Sequence, residues 1–316
     1  HANVTCKVID ITLVESVTQE PAKRIEQLLA ELIADDAEIS VALRGNHRWA
    51  QTYEPVRIEA RAEETILKRG GVYLITGGTE KAGLALAEFL LDELDARLVL
   101  TERFDRFARA GQIEAIESLH QVKRIERLRA RTDVVLMVQA DPASDAEMRK
   151  AVNLAKQHFG ALNGVIHAAG SEYDAAPHEW RGTLNGEFSA KAQGAQVLQN
   201  ILRDENPDFL ILCSSHGSLL GAAGQIDACA GDAYLDALAR RDHAVSGKRI
   251  VAINWDSWAD AAISGDMVNP VSVNDMRQHI RCGEVIKRVL KSGLPQVIIS
   301  AQDFQQVIER GVAIAD

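Results

Sequence analysis

The stretch TGGTEKAG, residues 76–83, decides the fold of this 316-residue chain. It follows GVYLI, a short apolar run of β-forming residues, and it leads into LALAEFLLDEL, whose apolar residues recur with helical spacing. A strand, a glycine-rich turn and a helix in this order predict a site for a dinucleotide pyrophosphate. Glu80, however, occupies the position where a middle glycine would let the backbone approach the phosphates.

From Gly71 onward, apolar β-type runs alternate with long amphipathic stretches. Strands are predicted at seven places, namely 72–76, 97–101, 133–139, 163–168, 208–213, 249–254 and 296–300. Apolar strands that alternate with helices indicate a parallel sheet with helices on both faces. The sequence therefore predicts an α/β protein with a Rossmann-like sheet, whose ligands bind at the carboxyl ends of the strands.

The first 56 residues follow a simpler plan. Strand-like runs at 3–14 and 38–50 flank an amphipathic helix at 20–33, and no glycine-rich turn follows the first strand. A polar connector at 57–70 separates this β-α-β part from the rest of the chain. The sequence thus predicts two unequal parts.

The composition and net charge of the chain limit the kinds of molecule that it could bind. The chain is 47% hydrophobic and 25% charged, with a formal net charge of −10, which argues against a nucleic-acid or anionic-membrane partner. It shows no signal peptide and no apolar run near the ~20 residues that span a bilayer. The four cysteines lack CxxC pairing, so we expect free thiols, no metal site and a cytoplasmic location. Since the chain begins His1-Ala2, we expect it to be part of a longer protein.

Several segments, in order along the chain, resemble the ketoreductase domain of modular polyketide synthases, a branch of the short-chain dehydrogenase/reductase superfamily. They are GGVYLITGG, ARLVLTER, VQADPASDAEM, FGALNGVIHAAG, KAQGAQVLQN, FLILCSSHGSLLGAAGQ, AYLDALA, INWDSW and SGLPQVIIS. The resemblance implies a truncated, Rossmann-like structural subdomain over residues 3–62. It also implies a catalytic-type subdomain over 69–312, with a lid at about 256–281.

The resemblance implies a definite reaction. In that family, NADPH delivers a hydride to a β-keto group on an acyl chain carried by an acyl carrier protein. A tyrosine gives the proton, a serine binds the carbonyl, and a lysine and an asparagine complete the relay. Here Ser215 and Lys191 occupy the serine and lysine positions, whereas Ala228 replaces the tyrosine and Asp232 the asparagine. Alanine has no proton to give, so the implied reaction lacks its acid.

The cofactor positions implied by the resemblance are partly altered. Those that persist are Gly77, Gly78, Gly83, Arg103, Asp141 and Gly170. Glu80 lies in the phosphate turn, and Glu102 precedes the Arg103 that would contact the 2′-phosphate of NADPH. Like charges ~4 Å apart repel by roughly 1–4 kcal/mol at dielectrics between those of water and a protein surface. We therefore expect no tight binding of NADPH.

Three hypotheses follow. The first is a catalytically inactive ketoreductase-like domain, a pseudoenzyme that holds neighbouring megasynthase domains and docks acyl carrier protein. The second is an NADPH-dependent reductase or epimerase with an atypical site, which would use Ser215, Lys191 and either Tyr173 or water. The third is a non-redox enzyme in which Glu172, Asp174 or His167 acts as acid or base.

Two side chains on the segment after Ala228 carry further expectations. Tyr234 lies six residues beyond Ala228, so a helix would turn it away from the site. Asp232 would lie near Lys191 if the geometry of the family is kept. An ion pair between Lys191 and Asp232 would neutralise the charge of the lysine and would have a structural role.

Overall fold

The protein is described by a computed structural model, which defines residues 7–11, 21–34, 38, 40–58, 66–103, 116–170, 188–222, 225–246, 248–256, 273–300 and 303–308. The chain divides into two compact units, one formed by 58–301 and the other by 1–57 together with 302–316. From the sequence, the stretch up to residue 312 is expected to belong to the larger part. The structure groups residues beyond 301 with the smaller unit instead, where the ring of Phe304 packs edge-on against Tyr53 with centroids 5.3 Å apart.

Among its described residues, the smaller unit contains the helix Pro21–Ile33, a three-stranded sheet and a short helical segment at 304–308. Its elements are β1 (Val8–Ile11), α1 (Pro21–Ile33), β2 (Ser40–Arg44) and β3 (His47–Ala50). β1 pairs parallel to β2, as the β-α-β prediction requires. The prediction of a single strand at 38–50 was wrong, because Gly45 adopts a φ of +59° and closes a tight hairpin between β2 and β3.

Helix α1 directs polar side chains toward its own sheet. Glu31 is buried and forms ion pairs with Lys7 and Arg48, at 3.2 and 2.5 Å. These contacts hold the pKa of the Glu31 carboxyl below its usual value, chiefly through the hydrogen bond with Arg48. A set of apolar side chains on the same helix is instead more than half exposed: Ile25, Leu29, Leu32 and Ile33. In the part of the chain that the structure describes, the apolar face of this amphipathic helix is therefore exposed.

The larger unit is built on one parallel sheet. Its described strands are β4 (Val72–Thr76), β5 (Arg97–Glu102), β6 (Val135–Gln139), β7 (Gly164–His167), β8 (Phe209–Ser215), β9 (Ile250–Trp255) and β10 (Gln296–Ile298). Their order across the sheet is β10-β9-β8-β7-β4-β5-β6, and every pair is parallel. The seven strands agree with the seven predicted runs to within about two residues at each end. The predicted Rossmann-like fold is confirmed.

Helices cover both faces of this sheet. They are α2 (Lys81–Leu94), α3 (Ile116–Arg129), α4 (Asp145–Phe159), α5 (Gly194–Glu205), α6 (Gly217–Leu220), α7 (Ile226–Ser246) and α8 (Val273–Ser292), and a π-helical turn (Ser189–Gln193) leads into α5. Residues of α2, α3 and α8 pack in one apolar cluster, and residues of α4, α5 and α7 pack in a second one. Among the described residues, no helix is long and apolar enough to cross a bilayer.

The strand order fixes the place of a ligand crevice. The chain runs from β4 outward to β5 and β6, and then returns to the other side of β4 as β7. Such a reversal leaves a crevice beyond the carboxyl ends of the two central strands. Thr76 ends β4 and His167 ends β7, so the segments that follow these two residues form its walls.

Candidate functional site

The glycine-rich turn packs against the turn that follows β7. Gly77 has a φ of +63°, and a Cβ at this position would lie 2.6 Å from the Cα of Ala169. A Cβ on Gly83 would lie 2.2 Å from the carbonyl oxygen of Gly77. Both positions require glycine, because a methyl group would collide with backbone that cannot move away. The glycine-rich turn predicted between a strand and a helix is present between β4 and α2.

The side chain of Glu80 spans the crevice. Glu80 precedes α2 in an extended conformation, with φ −77° and ψ 162°, and its side chain does not cap that helix. Its Oε1 instead accepts a hydrogen bond of 3.2 Å from the backbone N–H of Gly170, beyond the end of β7. A carboxylate is therefore bound to the backbone of Gly170, one of the positions that the family resemblance assigns to the cofactor.

Glu102 does not face the crevice as an uncompensated acid, which corrects the expectation from the sequence. It is the last residue of β5 and is only 9% exposed. Its Oε1 lies 3.1 Å from the guanidinium of Arg129, at the end of α3. Because this ion pair offsets the charge of Glu102, the repulsion expected near Arg103 is reduced.

Asp141 has a local structural contact. It follows β6, and its Oδ1 accepts a hydrogen bond of 2.9 Å from the backbone N–H of Ala143. The N–H of Asp141 donates to Glu147 at 2.7 Å, while Ser144 caps the start of α4. The carboxylate shapes the turn between β6 and α4, and the role of Asp141 as a cofactor position, which the family resemblance implies, remains a prediction.

Lys191, Asp232 and Ser215 form one buried cluster. The ammonium of Lys191, in the π-helical turn, pairs with Oδ1 of Asp232 on α7. The two side chains are 5% and 2% exposed. Oδ2 of the same carboxylate accepts a hydrogen bond of 2.6 Å from the hydroxyl of Ser215, at the end of β8. The hypothesis of a Lys191–Asp232 ion pair is confirmed.

The hydroxyl of Ser215 is fully engaged within the protein. A hydroxyl has one proton to donate, and Ser215 gives it to Asp232. Its oxygen also accepts the backbone N–H of Gly217 at 3.0 Å. In this arrangement Ser215 has no proton left for the carbonyl of a substrate.

Ala228 and Cys229 lie on the half-buried part of α7 beside this cluster. Ala228 precedes Asp232 by one helical turn, so the two share a face of the helix. A Cβ on Gly217 would lie 3.1 Å from both the sulfur of Cys229 and Oγ of Ser215, which brings this thiol to the site. Burial raises the pKa of the Cys229 thiol, which keeps it protonated and unreactive at neutral pH. No sequence signal pointed to Cys229, since single thiols are common in buried helices.

Other predicted candidates fall elsewhere. Tyr234 packs against the apolar cluster of α4, α5 and α7, as expected from its position on the helix. Glu172, Tyr173 and Asp174 lie outside the described residues, as do residues 257–272 of the predicted lid.

A second polar network supports the end of β8, and no sequence pattern indicated it. The amide nitrogen of Asn254, with two hydrogens to donate, lies 2.9–3.0 Å from Oγ of Ser214, Oγ of Ser218 and Oδ2 of Asp236. Ser218 also donates to Asp236 at 2.6 Å. Burial raises the pKa of the Asp236 carboxyl above its usual value. The network fixes the ends of β8 and β9 beside Ser215.

His167 is buried completely and is engaged at both ring nitrogens. Nδ1 lies 2.7 Å from Oγ1 of Thr76, and Nε2 lies 2.9 Å from the carbonyl oxygen of Lys191. Burial lowers the pKa of its imidazole to about 4, and the ammonium of Lys191 acts in the same direction. Because neither nitrogen is open to a ligand, the structure argues against the hypothesis of His167 as acid or base.

This buried imidazole predicts a pH dependence of stability. The unfolded chain binds a proton at His167 near pH 6.5, while the folded protein does so only near pH 4. The stabilisation is therefore present above pH 6.5 and lost as the pH falls toward 4, by up to about 3 kcal/mol. Urea unfolding at pH 7, 5 and 4 should show a smaller loss in His167→Gln than in the unaltered chain. The same loss in both would contradict the assignment.

The crevice and the cluster place the larger unit in the Rossmann class with the short-chain dehydrogenase/reductase arrangement. Residues 71–260 match the KR domain family, and since this is more than half of the chain, the chain belongs to that family.

Curated relatives are much longer proteins. The chain is 28% identical over 273 residues to one of the phenolphthiocerol/phthiocerol polyketide synthase proteins of Mycobacterium tuberculosis (strain CDC 1551 / Oshkosh), and the match covers 86% of this chain and 14% of that protein. It is 31% identical over 235 residues to polyketide synthase PksM of Bacillus subtilis (strain 168), a match that covers 74% of this chain and 5% of that protein. The chain thus spans a small fraction of these synthases.

Solved structures show the same fold. The chain superposes with a TM-score of 0.74 on the adenylation, ketoreductase and pseudo Asub multidomain structure of a keto acid-selecting NRPS module, at 21% identity over 97% of this chain and 26% of that one. It superposes with a TM-score of 0.67 on a ketoreductase domain from the bacillaene assembly line, at 24% identity over 96% of this chain and 72% of that one.

Proposed function

We propose that the chain is a catalytically inactive ketoreductase-like domain of a polyketide synthase or hybrid megasynthase. Its role is architectural: it contacts neighbouring domains of the synthase and offers a docking surface to acyl carrier protein. Its family membership and the synthases to which it is similar support the setting. The inactivity is inferred from the site.

The contacts of Asp232 carry this proposal. Its carboxylate binds both groups that the family uses in the reaction, the ammonium of Lys191 and the hydroxyl of Ser215. Because Asp232 is 1% exposed, water does not weaken these contacts. Asp232 therefore neutralises the positive charge of Lys191 and accepts the only proton that the hydroxyl of Ser215 can donate. With alanine at position 228, the acid that the family uses is missing as well.

The residues around the crevice fit a dinucleotide only in part. The backbone of the glycine turn keeps the close packing that a pyrophosphate site needs. Glu80 does not fit, because its carboxylate lies on the N–H of Gly170 and would repel a phosphate. We therefore assign no reaction step to NADPH in this chain.

The alternative is NADPH-dependent reduction or epimerisation of a β-ketoacyl chain on acyl carrier protein. Two observations favour it over a non-redox enzyme. The positions of Gly77 and Gly83 still require glycine, and the charge of Glu102 is compensated by Arg129. Under this alternative, Glu80 would leave Gly170 when the cofactor binds.

The open apolar face of α1 supports an architectural role. Apolar stripes at helical spacing on a soluble protein mark contact surfaces when they remain exposed. Ile25, Leu29 and Leu32 are 56%, 54% and 69% exposed, while the polar side chain of Glu31 is buried on the same helix. We assign a neighbouring domain of the synthase as the partner that binds this face.

Titration with NADPH, followed by protein fluorescence, tests the cofactor part of the proposal. We expect no saturation of the unaltered chain at millimolar NADPH. Glu80→Gly should bind at least about fivefold more tightly, because repulsion of roughly 1–4 kcal/mol is removed. Glu80→Gln removes the charge but keeps the bulk, and thus separates the two effects. A micromolar dissociation constant for the unaltered chain would support the alternative instead.

A further inference from the structure

The buried His167 connects three parts of the site that are distant in sequence. A carbonyl oxygen only accepts hydrogen bonds, so Nε2 of His167 must carry the proton that it shares with Lys191. Nδ1 then has a lone pair and accepts the hydroxyl of Thr76. The imidazole is thus a neutral ring in one tautomer, set by its two partners.

The partner on the Nε2 side is an unusual piece of helix. Ser189–Gln193 forms a π-helical turn, in which the N–H of Gly194 reaches the carbonyl of Ser189, five residues earlier. Single π turns occur often at functional sites because they shift the side chains that follow them. Lys191 is the middle residue of this turn, and its carbonyl is the one that His167 binds.

The turn and the imidazole are closely fitted to one another. A Cβ on Gly194 would lie 2.8 Å from Cε1 of His167 and 3.0 Å from Cβ of Pro142. Gly194 therefore gives the ring the space to reach the carbonyl of Lys191. A neighbouring glycine acts in the same way, since a Cβ on Gly231 would lie 3.0 Å from the side chain of Lys191. Packing therefore restricts both the backbone and the side chain of Lys191.

We propose that His167 is a positioning residue, which holds the backbone of Lys191 so that its ammonium points to Asp232. The contacts then form a continuous series: Thr76 to His167, His167 to Lys191, Lys191 to Asp232, and Asp232 to Ser215. Thr76 directly precedes Gly77, so the series links the glycine turn to the serine at the end of β8. This role does not depend on whether the site reduces a substrate.

Two amide substitutions separate the two contacts of His167. The amide of glutamine reaches about as far as Nε2, so His167→Gln keeps a donor for the carbonyl of Lys191. The amide of asparagine reaches only about as far as Nδ1. His167→Asn therefore keeps a hydrogen-bond partner for Thr76 but loses the hydrogen bond with the carbonyl of Lys191. The two variants are otherwise matched, since both bury a neutral amide.

Accessibility of single lysines to reductive methylation, measured by peptide mass spectrometry, tests the proposal. Lys191 is 4% exposed and should react slowly in the unaltered chain. We expect its modification rate to rise about tenfold in His167→Asn, the effect of one lost buried hydrogen bond on local opening, and to change less than about twofold in His167→Gln. Lys287 on α8, paired with Glu93, is the internal reference and should not change.

An equal rise in both amide variants, or no rise in His167→Asn, would overturn the proposal. If either variant does not fold, Thr76→Val is compared with Thr76→Ser, which keeps the hydroxyl. Thr76→Val should then raise the rate at Lys191 about threefold over Thr76→Ser, and equal rates would overturn the proposal as well. Because the readout requires neither NADPH nor turnover, failure here leaves the proposed function standing, and the reverse also holds.

Discussion

The triple variant Glu80→Gly, Ala228→Tyr, Asp232→Asn is expected to reduce a surrogate ketone, trans-1-decalone, with NADPH, whereas the unaltered chain is expected to show no turnover. Glycine at position 80 removes the carboxylate from the N–H of Gly170. Tyrosine at position 228 supplies a positioned acid, which contributes about 10²–10⁴ in rate. Asparagine at position 232 frees the charge of Lys191 and no longer competes as an anion for the proton of Ser215.

The structure indicates that tyrosine and glycine alone are insufficient. In Glu80→Gly, Ala228→Tyr the carboxylate of Asp232 still neutralises Lys191, so the new tyrosine lacks the cation that would lower its pKa. We expect this double variant to be at least about tenfold slower than the triple variant, the effect of one lost charged interaction. Coenzyme oxidation followed by absorbance at saturating ketone measures the difference.

Ser215→Ala, added to the triple variant, is the matched control, because it leaves the fold and the new acid in place and removes only the donor for the carbonyl. It should abolish the restored activity. Turnover by the unaltered chain would refute the proposal of inactivity. A triple variant that binds NADPH and yet does not turn over would show that these three residues are not the whole cause.

The sequence was sufficient for the elements that local patterns determine. The strand runs, the helices between them and the glycine turn follow from periodicity and from residues that tolerate unusual backbone. The ion pair of Lys191 with Asp232 also follows from the sequence, because the geometry that the family resemblance implies brings the two residues close together. The hairpin at Gly45 was missed, although a glycine between two β-type runs is a local signal for such a turn.

Contacts between distant residues could not be predicted in this way. Glu102 forms an ion pair with Arg129 on α3. Glu80 binds the backbone N–H of Gly170 across the crevice, and these two residues are 90 positions apart in the sequence. A sequence pattern gives the face on which a side chain lies, while its partner depends on the packing of several elements. The same limit concealed the role of His167, whose contacts with Thr76 and Lys191 only the structure shows.

Loss of the Lys191 ammonium is expected to destabilise the protein by about 3–5 kcal/mol, because it leaves a buried carboxylate without its cation. Lys191→Met keeps most of the length of the side chain and removes the charge. Asp232 would keep the hydrogen bond from Ser215, which does not compensate for a full negative charge at 1% exposure. Urea unfolding at pH 7 measures the change as a lower midpoint with an unaltered slope.

Two comparisons make this result specific to the buried pair. Lys287→Met removes a cation whose side chain is 26% exposed and whose partner Glu93 is 36% exposed, and should cost less than about 1 kcal/mol. Lys191→Met combined with Asp232→Asn removes both charges, and should recover most of the stability that the single variant loses. If Lys191→Met costs no more than Lys287→Met, then Lys191 is not held as a structural ion pair. A neutral result would return it to the role of a relay residue and favour the atypical reductase over the inactive domain.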